Sequence, residues 1–203
     1  RDLHSFPTRR SSDLLTPMKR RTFLAAGAAA VAAPAAWPFG YSCKGFPGWP
    51  LERAFALCAR LGYTGVEWVE PGRIDAGEVR SLVRRHGLPV LSIMEDLRLT
   101  GDAGAQLERL TATLRLAREM GRPVVETVVG GRPEEWDQLR PQFAARLREW
   151  ARAADRYKVT VAIKAHIGSA LHRPEDTAAL CQEAGSRHLR INYDRSEEHT
   201  SDI

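Results

Sequence analysis

The chain has 203 residues, 43% hydrophobic and 27% charged, a composition typical of a globular protein with enough apolar side chains for one sizeable core. A formal net charge of +5 is too mild to indicate a nucleic-acid partner, and three widely spaced cysteines indicate neither a disulfide framework nor a CxxC metal clamp. No segment reaches the roughly 20 apolar residues that a stable membrane span requires.

Residues 18–38 have the pattern of an export signal. The segment MKRRTFLAAGAAAVAAPAA combines a basic start, an alanine-rich apolar run and small residues suited to cleavage. Its pair Arg20-Arg21, followed by Phe23-Leu24, resembles a twin-arginine signal. We therefore expect a periplasmic or extracytoplasmic protein; the alternative is a disordered or amphipathic start in which the arginines occur by chance.

The two ends of the chain lack apolar periodicity. Residues 1–17 include RDLHSFPTRRSSDL and residues 195–203 read RSEEHTSDI, and both resemble translated adapter DNA. We expect a non-native leader and a non-native tail, which leaves residues 39–194 for the fold.

Between these ends, short β-branched runs alternate with segments of 3.6-residue apolar period, which predicts βα units and a parallel sheet. Glycines follow the helical patterns where a left-handed C′ residue is favoured. The predicted strands are Phe39–Cys43, Gly65–Val69, Pro89–Met94, Val124–Val129, Val159–Lys164 and Leu189–Tyr193.

The same alternation fits a doubly wound sheet or a (β/α)8 TIM barrel. No G-x-G-x-x-G loop follows the first strand, and polar residues recur at the carboxyl ends of strands, where barrel enzymes place their sites. Six units in this length project to the usual size of an eight-unit barrel, about 250 residues. The sequence therefore predicts an incomplete TIM barrel with about six of its eight βα units, ending after the sixth strand.

Candidate site residues follow the strand ends, which meet at one rim of a barrel. A ring of carboxylates, a histidine and a lysine could hold a divalent metal or transfer protons on a sugar. We assign catalysis to Glu126, Lys164, His166 and Glu95. We assign substrate binding to Glu67, Trp68, His172 and Asn192. For Trp68, stacking on a sugar and packing in the core are both open interpretations.

Three runs carry a family resemblance: GYTGVEWVE, AREMGRPVVETVVGG and KVTVAIKAHIGSALHRPEDTAALCQEAGSRHLRINYD. They are similar to the sugar phosphate isomerase/epimerase family, the xylose isomerase-like TIM barrels that include the endonuclease IV group. The resemblance covers residues 39–194 and implies a carbohydrate substrate and a divalent metal (Mn, Mg or Zn). It implies that Asp194 is a metal ligand, and it matches His166 to the family's histidine after the fifth strand.

Lys164 departs from the family pattern, because it stands where the resemblance places a metal-binding glutamate. An ammonium has three donors and no acceptor, so it repels a cation instead of binding one. Lys164 could replace the positive charge of the metal, or it could pair with Glu126 or Asp194 for structural reasons.

The leading hypothesis is an exported carbohydrate isomerase or epimerase that abstracts a proton next to a carbonyl group. The alternatives are an exported sugar-binding barrel without catalysis, and an endonuclease IV-like nuclease. The nuclease is disfavoured because none of the first four predicted strands ends in a histidine. The substrate and the oligomeric state stay open, since loops and not the fold set the substrate.

Overall fold

The computed structural model describes residues 38–69, 71 and 75–194. The predicted leader, the export signal up to residue 37 and the predicted tail lie outside these residues. Within the described ranges, no helix is long and apolar enough to cross a membrane.

Six parallel strands form one sheet in which every strand pairs with its neighbour in sequence. They are β1 (Gly40–Ser42), β2 (Gly65–Val69), β3 (Val90–Met94), β4 (Val124–Val128), β5 (Val161–Lys164) and β6 (Leu189–Asn192). This order confirms the predicted incomplete barrel. Apart from β2, the strands are shorter than predicted. For example, Cys43 begins a 3-10 turn, and the backbone N–H of Lys44 in that turn donates to the Ser42 side chain.

Helices connect the strands and cover one side of the sheet. They are α1 (Leu51–Arg60), α2 (Ala76–His86), α3 (Ala103–Glu119), α4 (Trp136–Tyr157) and α5 (Pro174–Ala184). The Asp75 and Asp102 side chains cap α2 and α3 by accepting backbone N–H bonds from residues three positions on. Gly87 and Gly185 end α2 and α5 with left-handed backbone, as predicted.

Side chains alternate between two faces of the sheet. On the outer face, Ile93, Val125 and Ile163 are fully buried in the core that the sheet forms with the helices. The opposite, inner face carries polar side chains at the carboxyl ends of the strands. The alternation of each strand therefore separates the packing residues from the candidate site.

A bulge in β3 adjusts the register of the inner face. Val66 pairs with Val90, but Glu67 pairs with Ser92, so Leu91 is the extra residue. The bulge places the Ser92 hydroxyl beside the Glu67 carboxylate. It also directs Leu91 toward Gly65, where only a hydrogen atom leaves room for it.

Candidate active site

Two glutamates on the inner face, Glu67 of β2 and Glu126 of β4, are neighbours that shift each other's pKa. The Ser92 hydroxyl donates to Glu67 Oε2 over 3.2 Å, and the Asn192 amide Nδ2 donates to Glu126 Oε2. Two neighbouring carboxyl groups can be hydrogen-bonded to each other only when one of them carries a proton.

Their surroundings give the two carboxyl groups different pKa values, so that one is protonated at a pH where the other is ionised. Burial raises the pKa of Glu126 to about 7, with further contributions from the hydrogen bond and the negative charge of Glu67. Burial also acts to raise the pKa of Glu67, but hydrogen bonds with Glu126, Ser42 and Ser92 and the charge of Lys164 lower it below its ordinary value. Between pH 4.5 and about 7, Glu126 therefore holds the proton and Glu67 is ionised.

Lys164 ends β5 on the same inner face, and its Nζ lies 3.2 Å from Asp194 Oδ2. The side chains of Lys164 and Asp194 are 17% and 30% exposed. The positive charge of Lys164 helps to lower the pKa of Glu67 and opposes the rise in the pKa of Glu126. Of the two ion-pair partners that the sequence suggested for Lys164, the structure shows Asp194.

The donor set at this rim does not fit a divalent metal. Such a cation needs several oxygen or nitrogen acceptors around one point, and here an ammonium group lies against the Asp194 carboxylate. Among the described residues, no group of three or more His, Cys, Asp or Glu side chains is arranged to hold a metal ion.

Glu95 and Trp68 do not join the inner-face group. The Glu95 carboxylate is 3% exposed; its Oε1 lies 2.5 Å from Arg109 Nη2, and its Oε2 accepts from Thr113 Oγ1 over 2.8 Å. Both partners belong to α3, so this carboxylate ties β3 to a helix. Trp68 is 1% exposed and belongs to the core cluster on the outer face.

His166 and His172 lie in the loop that follows β5, and both are partly buried. His166 Nδ1 accepts from the backbone N–H of Gly168 over 3.1 Å, and His172 Nδ1 donates to the carbonyl of Ala170 over 3.0 Å. These bonds shape the loop and fix the orientation of the two rings.

Ser42 and Ser92 belong to the group, although the sequence analysis did not select them. Each pairs in register with Glu67 from a neighbouring strand; the Ser92 hydroxyl donates to Glu67, and the Ser42 side chain helps to lower the pKa of Glu67. The alternation of β1 and β3 was the available signal, because it places both hydroxyls on the face of the site. Both serines lie inside their predicted strands and not at the strand ends, where the candidate residues were chosen.

Known proteins match this chain over part of their length. An uncharacterized protein of Mycobacterium leprae is 33% identical over 111 residues, which cover 51% of this chain and 39% of that protein. An uncharacterized protein of Mycobacterium tuberculosis is 37% identical over 93 residues, or 43% of this chain and 32% of that protein. The matches therefore span well under half the length of these relatives.

Solved structures share the fold at low identity. A family 2 AP endonuclease from Brucella melitensis superposes with a TM-score of 0.70 at 15% identity, covering 82% of this chain and 72% of that one. A 3-keto-D-glucoside 4-epimerase from E. coli gives 0.64 at 18%, covering 82% and 72%. A xylose isomerase-like TIM barrel protein from Mycobacterium smegmatis, in complex with magnesium, gives 0.65 at 17%, covering 80% and 66%.

The family pattern described as the xylose isomerase-like TIM barrel matches residues 55–201. The match includes β2 to β6 and the Glu67, Glu126 and Lys164 positions. The six-stranded sheet and the structural neighbours agree with it. The chain belongs to the xylose isomerase-like TIM barrel family.

Proposed function

We propose that the full-length protein binds a small carbohydrate at the carboxyl ends of its strands and moves a proton on the carbon next to the carbonyl group, as an isomerase or epimerase does. The observation that carries this proposal is the Glu67–Glu126 pair, in which Glu126 has a pKa of about 7. A group with that pKa can both accept and return a proton at neutral pH, and these are the two steps that the reaction needs.

In this reaction, ionised Glu126 takes the proton from the carbon beside the carbonyl. The electrons of that C–H bond form a carbon–carbon double bond, and the carbonyl oxygen gains the negative charge. Protonated Glu126 then returns the proton to the former carbonyl carbon in an isomerase, while the hydroxyl proton of the first carbon passes to the former carbonyl oxygen. In an epimerase, a second acid protonates the first carbon on its opposite face. Asn192 holds the Glu126 carboxyl in place through the bond to Oε2.

The remaining assignments follow from position. We assign His166 to proton transfer at substrate hydroxyls, and Glu67, Asn192 and His172 to substrate binding, because they lie on the inner face or in the loop after β5. Glu95 and Trp68 take packing roles through their contacts with the helix layer and the core. Export through the twin-arginine segment would place the reaction outside the cytoplasm.

The name of the E. coli neighbour, a keto-glucoside epimerase, supports a carbohydrate substrate. The Brucella neighbour is named an endonuclease, but its 15% identity supports the fold alone. A nuclease is disfavoured because none of the strands from β1 to β4 ends in a histidine and the described donors do not form a metal site.

Deuterium incorporation tests the proposal directly. The full-length protein is incubated in D₂O with a panel of ketoses, aldoses and keto-glycosides, and exchange at the carbon beside the carbonyl is followed by NMR. We expect exchange with at least one sugar and a loss of about 100- to 10,000-fold in Glu126→Gln. Undiminished exchange in Glu126→Gln would refute the role of Glu126. Glu108→Gln, at an exposed position of α3, serves as the control.

A second candidate, a sugar-binding barrel without catalysis, is favoured by one observation. The Lys164–Asp194 ion pair lies where the resemblance implies a catalytic metal. Calorimetric binding of a sugar without any deuterium exchange would support this binding protein over the isomerase.

A further inference from the structure

Lys164 lies on the inner face with the acidic groups of the candidate site. It is the last residue of β5, it pairs in register with Asn192 of β6 and Val128 of β4, and the buried Ile163 before it faces the helices. The Lys164 side chain is therefore directed to the same side as Glu126. Its charge acts on three carboxyl groups: Asp194 through the ion pair, and Glu67 and Glu126 through the field.

A positive charge at this point has a chemical use. When a proton leaves the carbon beside a carbonyl, negative charge develops on the oxygen, and a fixed cation or hydrogen-bond donor beside that oxygen stabilises the transition state. A lysine ammonium supplies a charge and three donors. One donor is directed to Asp194, and the geometry of an ammonium leaves others for a second acceptor.

We propose that Lys164 takes the place of a divalent metal in this site: its ammonium contacts the carbonyl oxygen of the substrate, and Asp194 is a positioning residue that orients the ammonium. This inference rests on the proposed function and deepens it, because it makes the full-length protein a metal-independent member of its family. The Lys164 ammonium occupies an acceptor of the Asp194 carboxylate and repels a second cation there, and Lys164 itself offers a metal no acceptor.

Metal binding provides a test that does not depend on activity. Binding of Mn²⁺ to the full-length protein is measured by electron paramagnetic resonance for the wild type, Lys164→Glu and Lys44→Glu. Lys44→Glu makes the same charge change at an exposed residue of the turn after β1, and Lys44 is not part of the Lys164–Asp194 ion pair. We expect at least tenfold tighter Mn²⁺ binding in Lys164→Glu only, because that change adds an acceptor beside Asp194. Wild-type affinity equal to that of Lys164→Glu would overturn the inference.

Deuterium exchange provides a second test. Wild-type deuterium exchange should be unchanged after dialysis against EDTA, while Lys164→Gln should lose about 100-fold or more, as expected when an oxyanion-stabilising group is removed. Thermal melting checks that Lys164→Gln is folded, and Lys164→Arg, which keeps a charged donor, should recover part of the rate. Full activity in folded Lys164→Gln would overturn the inference by showing that Lys164 has only a structural role.

The two proposals fail in different ways. Suppose that the wild type exchanges no sugar proton but Lys164→Glu binds Mn²⁺ at least tenfold more tightly than the wild type. The proposed function is then wrong, and the replacement of the metal by Lys164 stands. If the wild type exchanges protons but loses activity in EDTA, the isomerase stands and the replacement is wrong.

Discussion

Glu67 and Glu126 are the same type of residue, yet their pKa values shift in opposite directions. Glu126 is enclosed and faces another carboxyl group, whereas Glu67 accepts hydrogen bonds from two serines and lies in the field of Lys164. Neither environment is local in sequence, because the two serines, Lys164 and Asn192 lie on four different strands. At the scale of single residues, the chemistry of the site therefore depends on neighbours that only the sheet brings together.

The raised pKa of Glu126 predicts a pH-dependent stability. The folded state holds a proton between pH 4.5, the ordinary value, and about 7, while the unfolded chain loses it, so the free energy of unfolding falls as pH rises through this range. We expect a decrease of about 2 kcal/mol after allowance for solvent screening. Glu67 has the opposite effect, and only below pH 4.5, because its pKa is lowered: in that range the free energy of unfolding rises with pH.

Urea unfolding at several pH values, at low protein concentration, measures this slope. Glu126→Gln cannot titrate, so its stability should be flat across the range where the wild type declines. Glu108→Gln, on the exposed face of α3, should keep the wild-type slope. A wild-type free energy that rises from pH 5 to pH 7 would contradict the assignment of the proton to Glu126.

At the scale of elements, the β3 bulge links packing near the amino ends of the strands to the site at their carboxyl ends. Leu91 fills the space over Gly65, and the residue after it, Ser92, is thereby brought into register with Glu67. Glycine is required at position 65 by this close approach and not by its backbone conformation, since its φ is not positive.

Gly65→Ala should destabilise the fold. A Cβ at this position would lie 2.5 Å from Leu91 Cγ and 2.7 Å from the Pro89 carbonyl oxygen, so Leu91 must move, at a cost of about 1–3 kcal/mol. Gly104→Ala is the matched control, because its Cβ would meet only Asp102 Oδ1 at 3.4 Å in an exposed helical turn. We expect a lower urea midpoint for the first variant and an equal or higher one for the second. Equal midpoints for Gly65→Ala and the wild type would contradict the close packing.

At the scale of the whole molecule, the sheet has two edges. Within the described residues, β1 pairs only with β2 and β6 only with β5, and Phe39 beside the first edge is 66% exposed. Backbone groups on an unpaired edge are templates for pairing with another chain.

We therefore expect the 203-residue chain to self-associate as its concentration rises, as measured by light scattering after size exclusion. Phe39→Asp should weaken the association, because a charge at the edge opposes strand pairing. Leu61→Asp, an equally exposed position at the end of α1, should leave it unchanged. A monomer at all concentrations that melts in one cooperative transition would contradict this expectation.

The sequence by itself determined the fold class and most of the fold. The six strands, their parallel order and the helix ends at Gly87 and Gly185 followed from apolar periods and backbone preferences, which act within a few residues. It also identified Glu67, Glu126, Lys164, Asn192 and Asp194 as residues at strand ends.

Only the tertiary structure decided which of these side chains meet. It brought Glu67 beside Glu126, paired Lys164 with Asp194, and set Ser92 in register with Glu67 through a one-residue bulge. It also turned Glu95 toward Arg109 on α3. The physical reason is that hydrogen bonds, burial and charge act over a few ångströms in space, between residues that lie 14 to 66 positions apart in the chain.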